Sequence, residues 1–315
     1  MTEKDLDPAR LADDGSQVPN TLLDRTIYYA LHPGLIVFVL GVWYFNRDGA
    51  DMYLVTVLGV QLLLGVLEYW RPARPQWRQD WAERSRNIAI WLVGFVVAAV
   101  VISAYETYLT QPLMQLRSTL NMDIWPHHWP VLIQLLMVFF MGEFIWYWLH
   151  RAEHQWSFMW RITGHGAHHS FKRLGAINAG ANHPFEMLFL VAPAGIVELF
   201  FGVGAPAAGA ALLTVVQTGV AHTNLRLNSS VIGWFFTTAD YHIRHHSVVL
   251  EESNTNFGCA GIIWDRLFGT FADSYVLEAG TGPTEPGTWD KFIMPFKEPA
   301  DTQTSPSAGA GVVSP

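Results

Sequence analysis

The sequence predicts an all-α integral membrane protein: a helical bundle with a cytoplasmic, histidine-rich helical cap that holds a two-metal site. Three observations predict it. The 315 residues are 50% hydrophobic and 14% aromatic but only 15% charged, a balance suited to a bilayer. Four apolar runs are long enough to cross a membrane, which needs ~20 residues. The pattern His-x-x-His-His occurs twice, in "HGAHH" from His165 to His169 and in "HIRHH" from His242 to His246.

The chain opens on an acidic leader, residues 1–25, with Glu3, Asp5, Asp7, Asp13, Asp14 and Asp24 ahead of the first apolar run. It lacks the basic start of a cleavable signal peptide. The apolar runs, roughly 26–45, 52–70, 87–109 and 129–149, make residues 26–149 a four-helix transmembrane region. Residues 150–184 read as a first metal-ligand cap segment. Residues 185–221 hold two shorter apolar runs broken at "GVGAP" and read as a membrane hairpin that spans. Residues 222–275 read as a second cap segment, and 276–315 as a polar C-terminal tail.

Arginines set the expected orientation. The loop "RPARPQWRQDWAERSR" carries five of them against Asp80 and Glu83, and Arg151, Arg161, Lys172 and Arg173 follow the fourth run. The loops 46–51 and 110–128 carry one arginine each. Basic loops stay on the cytoplasmic side, so every histidine motif is expected there. Trp43, Trp70, Trp125 and Trp129 at the run edges suit the membrane interface. The net charge of -8, without a basic patch, gives no sign of nucleic-acid binding. The one cysteine, Cys259, excludes an internal disulfide and a four-cysteine iron–sulfur cluster.

With 13 histidines in 315 residues, chance supplies about 0.02 copies of His-x-x-His-His, so two copies are a signal. On a helix, positions i, i+3 and i+4 share a face, and each triplet is expected to aim at one point. His150 and His154 in "HRAEH" repeat the i, i+4 spacing. His150, His154, His165, His168, His169, His242, His245 and His246 are thus eight candidate ligands. One zinc takes three or four protein ligands, so eight imply two metals.

The rival chemistry is zinc hydrolysis, because "HRAEH" also spells the inverted zinc-protease pattern with Glu153 as base. It leaves six clustered histidines unexplained. Haem ligation and metal transport place histidines within the membrane, where these motifs are not expected. His32 in "LHPGL" departs from the haem-binding His-Pro-Gly-Gly at Leu35, and His32, His127 and His128 are read as non-ligands.

These motifs, together with "NFG" at 256–258, "WDRLFGTF" at 264–271, "HPFE" at 183–186, "HTN" at 222–224 and "EFIWYWLHR" at 143–151, resemble the sterol desaturase and fatty acid hydroxylase superfamily. The resemblance covers about residues 140–272. It implies two iron ions, which zinc replaces in some purified preparations, and O2 as co-substrate. The implied reaction is hydroxylation, or less readily desaturation, of an unactivated C–H bond in a lipid such as a sterol or fatty acyl chain. It implies His183 and His222 as further ligands. Glu143, seven residues before His150 on nearly the same helix face, is a candidate catalytic residue, as are Asn256 and Asp265. No dinucleotide fingerprint and no cluster cysteines are present. Electrons are therefore expected from a separate ferredoxin, cytochrome b5-like protein or reductase. Fifteen arginines against four lysines favour a bacterial inner membrane over the endoplasmic reticulum.

Overall fold

The computed structural model describes residues 21–47 and 51–296; most of the acidic leader and the end of the polar tail lie outside them. Four helices are long and apolar enough to cross a membrane: α1 Leu22–Asn46, α2 Met52–Trp70, α3 Trp81–Thr119 and α4 Val131–Gln155. There is no β-strand among the described residues, only an isolated bridge between Ser247 and Ala279.

Local chemistry sets the helix ends. Thr21 caps α1 by accepting the Asp24 N–H at 3.1 Å. Pro33, which lacks an N–H, follows a π-helical turn at Ile27–Leu31 that absorbs the missing bond. Asp80 caps α3 by accepting the Glu83 N–H at 2.8 Å. α3 runs 39 residues, far past the apolar run that announces it. Its outer turns are polar, and a helix outside hydrocarbon needs caps and propensity, not hydrophobicity. α4 likewise continues to Gln155 and carries His150 and His154 on the bundle helix itself.

The second apolar region forms a short turn, α7 Met187–Leu190, then α8 Ala192–Phe201 and α9 Pro206–His222. The link between α8 and α9 turns on Gly202 and Gly204, whose φ values of 66° and 79° favour glycine. Phe201 lies 6.1 Å from Trp125 in the α3–α4 loop, so this turn reaches the end of the bundle opposite the histidines. α9 packs on α4 and α1: a Cβ on Gly209 would come within 2.4 Å of Leu135 and 2.6 Å of the Trp43 ring. Around that contact sits the main core, with Val39 of α1, Leu64 of α2, Leu135 and Phe139 of α4, and Leu213 and Val216 of α9. α3 is peripheral, with most of its apolar surface facing outward.

One end of the bundle carries the cap. The start of α1 is tied there by the Asn228 N–H donating to the Tyr28 carbonyl at 2.8 Å. The loop after α2 is tied by the Ala73 N–H donating to the Asn224 carbonyl, also at 2.8 Å. The cap contains α5 Ser157–Thr163, α6 His165–His169, α10 Ala239–His245, α11 Leu250–Ser253 and α13 Thr288–Ile293, while α12 Ile263–Phe268 packs on the side of α4. A smaller core of Trp77, Phe171, Leu174, Ile243 and Val276 holds the cap. Residues 276–296 of the expected polar tail pack on this core. Val276 and Ala279 are buried, and Lys291 Nζ lies 3.4 Å from the Phe171 ring centre. Polar composition concealed a segment that contributes only a few apolar anchors.

Candidate metal centre

Nine histidines turn inward in two adjoining groups. The first holds His150 and His154 of α4, His165 and His169 of α6, and His245 of α10; the second holds His168, His222, His242 and His246. Every ring is buried. The two groups share a wall, where the His169 and His246 rings stack at 4.3 Å.

Each triplet therefore splits between the groups, contrary to the expectation that it aims at one point. His165 and His169 enter the first group while His168 enters the second; His242 and His246 enter the second while His245 enters the first. Helix geometry gives the reason. At ~100° per residue, position i+4 lies ~40° to one side of position i, and i+3 lies ~60° to the other. A single turn can thus supply a pair to one site and a single ligand to its neighbour.

Hydrogen bonding on the outer side of the rings fixes which nitrogen faces inward. Nδ1–H donates from His165 to Glu186 Oε1 at 2.7 Å, from His245 to the Thr255 carbonyl at 2.8 Å and from His222 to the Thr218 carbonyl at 2.8 Å. His150 Nδ1 donates to the Phe257 carbonyl. In each neutral ring Nε2 is then a bare lone pair. The Nε2 atoms of the groups converge: those of His150 and His165 are 3.0 Å apart, of His154 and His169 3.2 Å, and of His222 and His242 3.0 Å. Neutral acceptors gain nothing from facing one another this closely. Two ligands at right angles on one ion, with metal–nitrogen bonds of ~2.1 Å, stand about 3.0 Å apart. The donor set therefore fits two metal ions. Burial, reinforced by the neighbouring imidazoles, holds His165, His168, His169, His242 and His246 well below the usual histidine range, and burial does the same for His245. All six are neutral at physiological pH, the form that binds metal.

His183 is not part of either group. Its Nε2–H donates to the Phe292 carbonyl at 3.0 Å, and its Nδ1 accepts the Phe185 N–H at 3.1 Å, which leaves no nitrogen for a ligand role. In "HPFE" the residue that reaches the centre is Glu186, behind His165, with Glu153 Oε2 3.6 Å from the same Nδ1. The hydrogen-bonding role of Glu186 was not visible in the spacing. Trp160 was missed as well, its ring lying 5.3, 5.4 and 5.5 Å from those of His154, His165 and His169. His32 bonds Gln217 at 3.1 Å, and His127 and His128 are exposed in the loop before α4.

Glu143, Asp265 and Asn256, expected as catalytic residues, are engaged with backbone. Glu143 Oε2 accepts the N–H groups of Ala260 and Gly261 at 3.0 and 2.9 Å. Asp265 accepts those of Phe257 and Gly258, both at 2.8 Å, and the Thr270 hydroxyl at 2.7 Å. Asn256, at φ 56°, donates to the Tyr241 and Ala272 carbonyls at 2.9 and 2.8 Å. Together they shape the loop that offers the Phe257 carbonyl to His150.

A family model for fatty acid hydroxylases matches residues 135–270, a span that contains all nine inward histidines. Ornithine lipid hydroxylase OlsE of Rhizobium tropici is 31% identical over 240 residues, 70% of this chain and 69% of that protein. Very-long-chain aldehyde decarbonylase GL1-8 of Oryza sativa subsp. indica is 32% identical over 180 residues, 53% of this chain and 61% of that protein. Methylsterol monooxygenase 2-2 of Arabidopsis thaliana is 27% identical over 168 residues, 50% and 58% of the two chains. No solved structure matches. The paired histidine groups sit inside the matched span and the similarity to the hydroxylase runs over two thirds of both chains, so this protein belongs to the fatty acid hydroxylase family of the sterol desaturase superfamily.

Proposed function

We propose that this protein is an O2-dependent di-iron hydroxylase acting on an unactivated C–H bond of a membrane lipid. The observation that carries the reading is the convergence of nine histidine nitrogens in two adjoining groups, supported by relatives that are lipid hydroxylases and monooxygenases. His150, His154, His165, His169 and His245 would hold one iron, and His168, His222, His242 and His246 the other. Bound iron supplies the reductive activation of O2 that no side chain offers. Glu186 and the Phe257 carbonyl orient His165 and His150 from behind. Trp160 and Phe257 wall the first group from water, the Phe257 ring lying 5.5 Å from that of His154. Electrons come from a separate carrier protein. An acyl chain is the substrate part favoured by the ornithine lipid relative, with a sterol as the other class the relatives suggest.

The zinc-hydrolase reading places Glu153 as a base beside a metal-bound water. Glu153 stands instead on the Nδ1 side of His165, away from the point where the Nε2 atoms converge. Feeding 18O2 to expressing cells should label one oxygen in a modified lipid. The Glu153 carboxylate stands 3.6 Å from His165 Nδ1 without a hydrogen bond to it, so Glu153→Gln should keep both metals and lose no more than about 100-fold in turnover, the upper scale of a changed outer partner. Complete loss of turnover with metals retained, or turnover without O2, would return the assignment to hydrolysis.

The cap is proposed to face the cytoplasm, because the arginine-rich loop 71–86 lies at its end of the bundle. Single cysteines at the exposed positions Arg78 and Asp123 test it in intact cells with an impermeant thiol reagent. Only Asp123→Cys should label; labelling at position 78 alone inverts the topology.

A further inference from the structure

We infer that residues 231–236 and 260–268 form a re-entrant wedge, immersed in the hydrocarbon of the bilayer, whose outer aromatic face meets acyl chains. The inference rests on reading α4 as a membrane-spanning helix.

Depth is the first argument. At ~1.5 Å per residue, about 20 residues of α4 from Val131 to His150 take up the ~30 Å of hydrocarbon. Phe140 then lies near the midplane, about 15 Å from His150 along the axis. Trp264 Nε1–H donates to the Phe140 carbonyl at 2.9 Å, and the Phe236 ring lies 5.5 and 6.0 Å from those of Phe139 and Phe140. The segments also bind each other: the Thr237 N–H donates to Ala260 O at 2.9 Å and the Ile262 N–H to Phe235 O at 3.1 Å. Both reach about halfway across.

Backbone satisfaction is the second argument. Non-helical chain at membrane depth persists only where its polar groups find partners inside the protein. Here Glu143 and Asp265 together accept four N–H groups, those of Phe257, Gly258, Ala260 and Gly261. The Thr237 hydroxyl donates to the Gly258 carbonyl at 2.6 Å. A loop in water would draw these bonds from solvent and would have no use for two buried carboxylates.

The outer face supplies the third. Val231, Trp234 and Leu267 are 72%, 60% and 65% exposed, and Phe235 and Phe268 are exposed beside them. The face is continuous with the outward side of α4, where Trp148 and Phe268 rings lie 5.1 Å apart and Phe144 and Trp264 rings 4.9 Å. Of the two charged side chains in these segments, Asp265 is buried. Arg266 is half-buried: it donates to the Gly233 carbonyl at 2.6 Å, and its guanidinium lies 3.6 Å from the Phe271 ring centre and 4.6 Å from that of Trp234. A face whose one charge is held by a carbonyl and aromatic rings, joined to the surface of a spanning helix, fits lipid.

The test is spin-label power saturation on the full-length protein in phosphatidylethanolamine–phosphatidylglycerol vesicles. Nitroxides go on Leu267→Cys and Phe235→Cys, with Val96→Cys on the outer face of α3 and Arg78→Cys in the loop as references; Cys259 is buried and stays. Labels at 267 and 235 should relax several-fold more with O2 than with a water-soluble nickel chelate, as at 96, while 78 shows the reverse. Nickel access at 267 equal to that at 78, with 96 lipid-like, overturns the wedge alone. Poor access to both reagents with spin–spin broadening puts a second copy on this face and also overturns it. If 96 itself behaves like 78, the spanning reading falls and the wedge with it.

Discussion

His154→Ala is expected to empty the first metal group and to abolish turnover, by about 10²-fold or more given that even outer partners of a ligand cost 10- to 100-fold. His154 is central to that group, its Nε2 lying 3.1 Å from His165 and 3.2 Å from His169. Removing it also leaves a hole among buried rings, which lets water reach the remaining lone pairs. His246→Ala should do the same to the second group, where its Nε2 lies 3.2 Å from that of His242. Metal analysis of purified protein should give two ions for the parent and one for each variant. Because ligand binding and folding are coupled, both variants should also melt lower. His183→Ala and His32→Ala should keep two metals, since each makes its bonds outside the groups. Two metals in His154→Ala, or one in His183→Ala, would break the ligand assignment.

The convergence of the proposed ligands was largely legible because the spacing within each motif is set by one rigid element. Pairs at i, i+4 on α4, on α6 and at the end of α10, where His246 is the C-cap, must share a helix face, and they do. The split of His168 and His245 from their triplets was not legible. A 60° offset on a helix selects a different neighbour only when a second site exists within one ring's reach. In "HPFE" the histidine drew attention because histidine is the commoner metal ligand, yet the carboxylate is the group that bonds a ligand ring. The bundle was legible from four long apolar runs. The proposed wedge, 231–236 and 260–268, was not, since short mixed segments carry no run long enough to announce contact with lipid. Glu143 drew a catalytic reading because a carboxylate on a membrane-spanning helix is a functional candidate by default. The peptide groups that Glu143 and Asp265 bind lie far from both in the sequence or within a loop, and no spacing announces them.

Asp265→Ala should therefore act on the metal centre without touching it. Asp265 accepts the N–H groups of Phe257 and Gly258 and the Thr270 hydroxyl, so the variant orphans two buried amides at about 1–3 kcal/mol each. The loop has little room to find other bonds. A Cβ on Gly258 would stand 2.3 Å from the Gly261 carbonyl oxygen, which shows how closely the backbone folds on itself there. Released from Asp265, Phe257 no longer holds its carbonyl against His150 Nδ1, and that ring can turn Nε2 away from the first group. His222 and His242, in the second group, have no bond to this loop. The expected result is loss of thermal stability together with preferential loss of one metal, from the first group. Asp265→Asn, which keeps one acceptor oxygen, should lie between the variant and the parent. Asp265→Ala with both metals bound at the parent's affinity would show that the loop holds its shape alone, and would leave the carboxylate free for the catalytic role first expected of it.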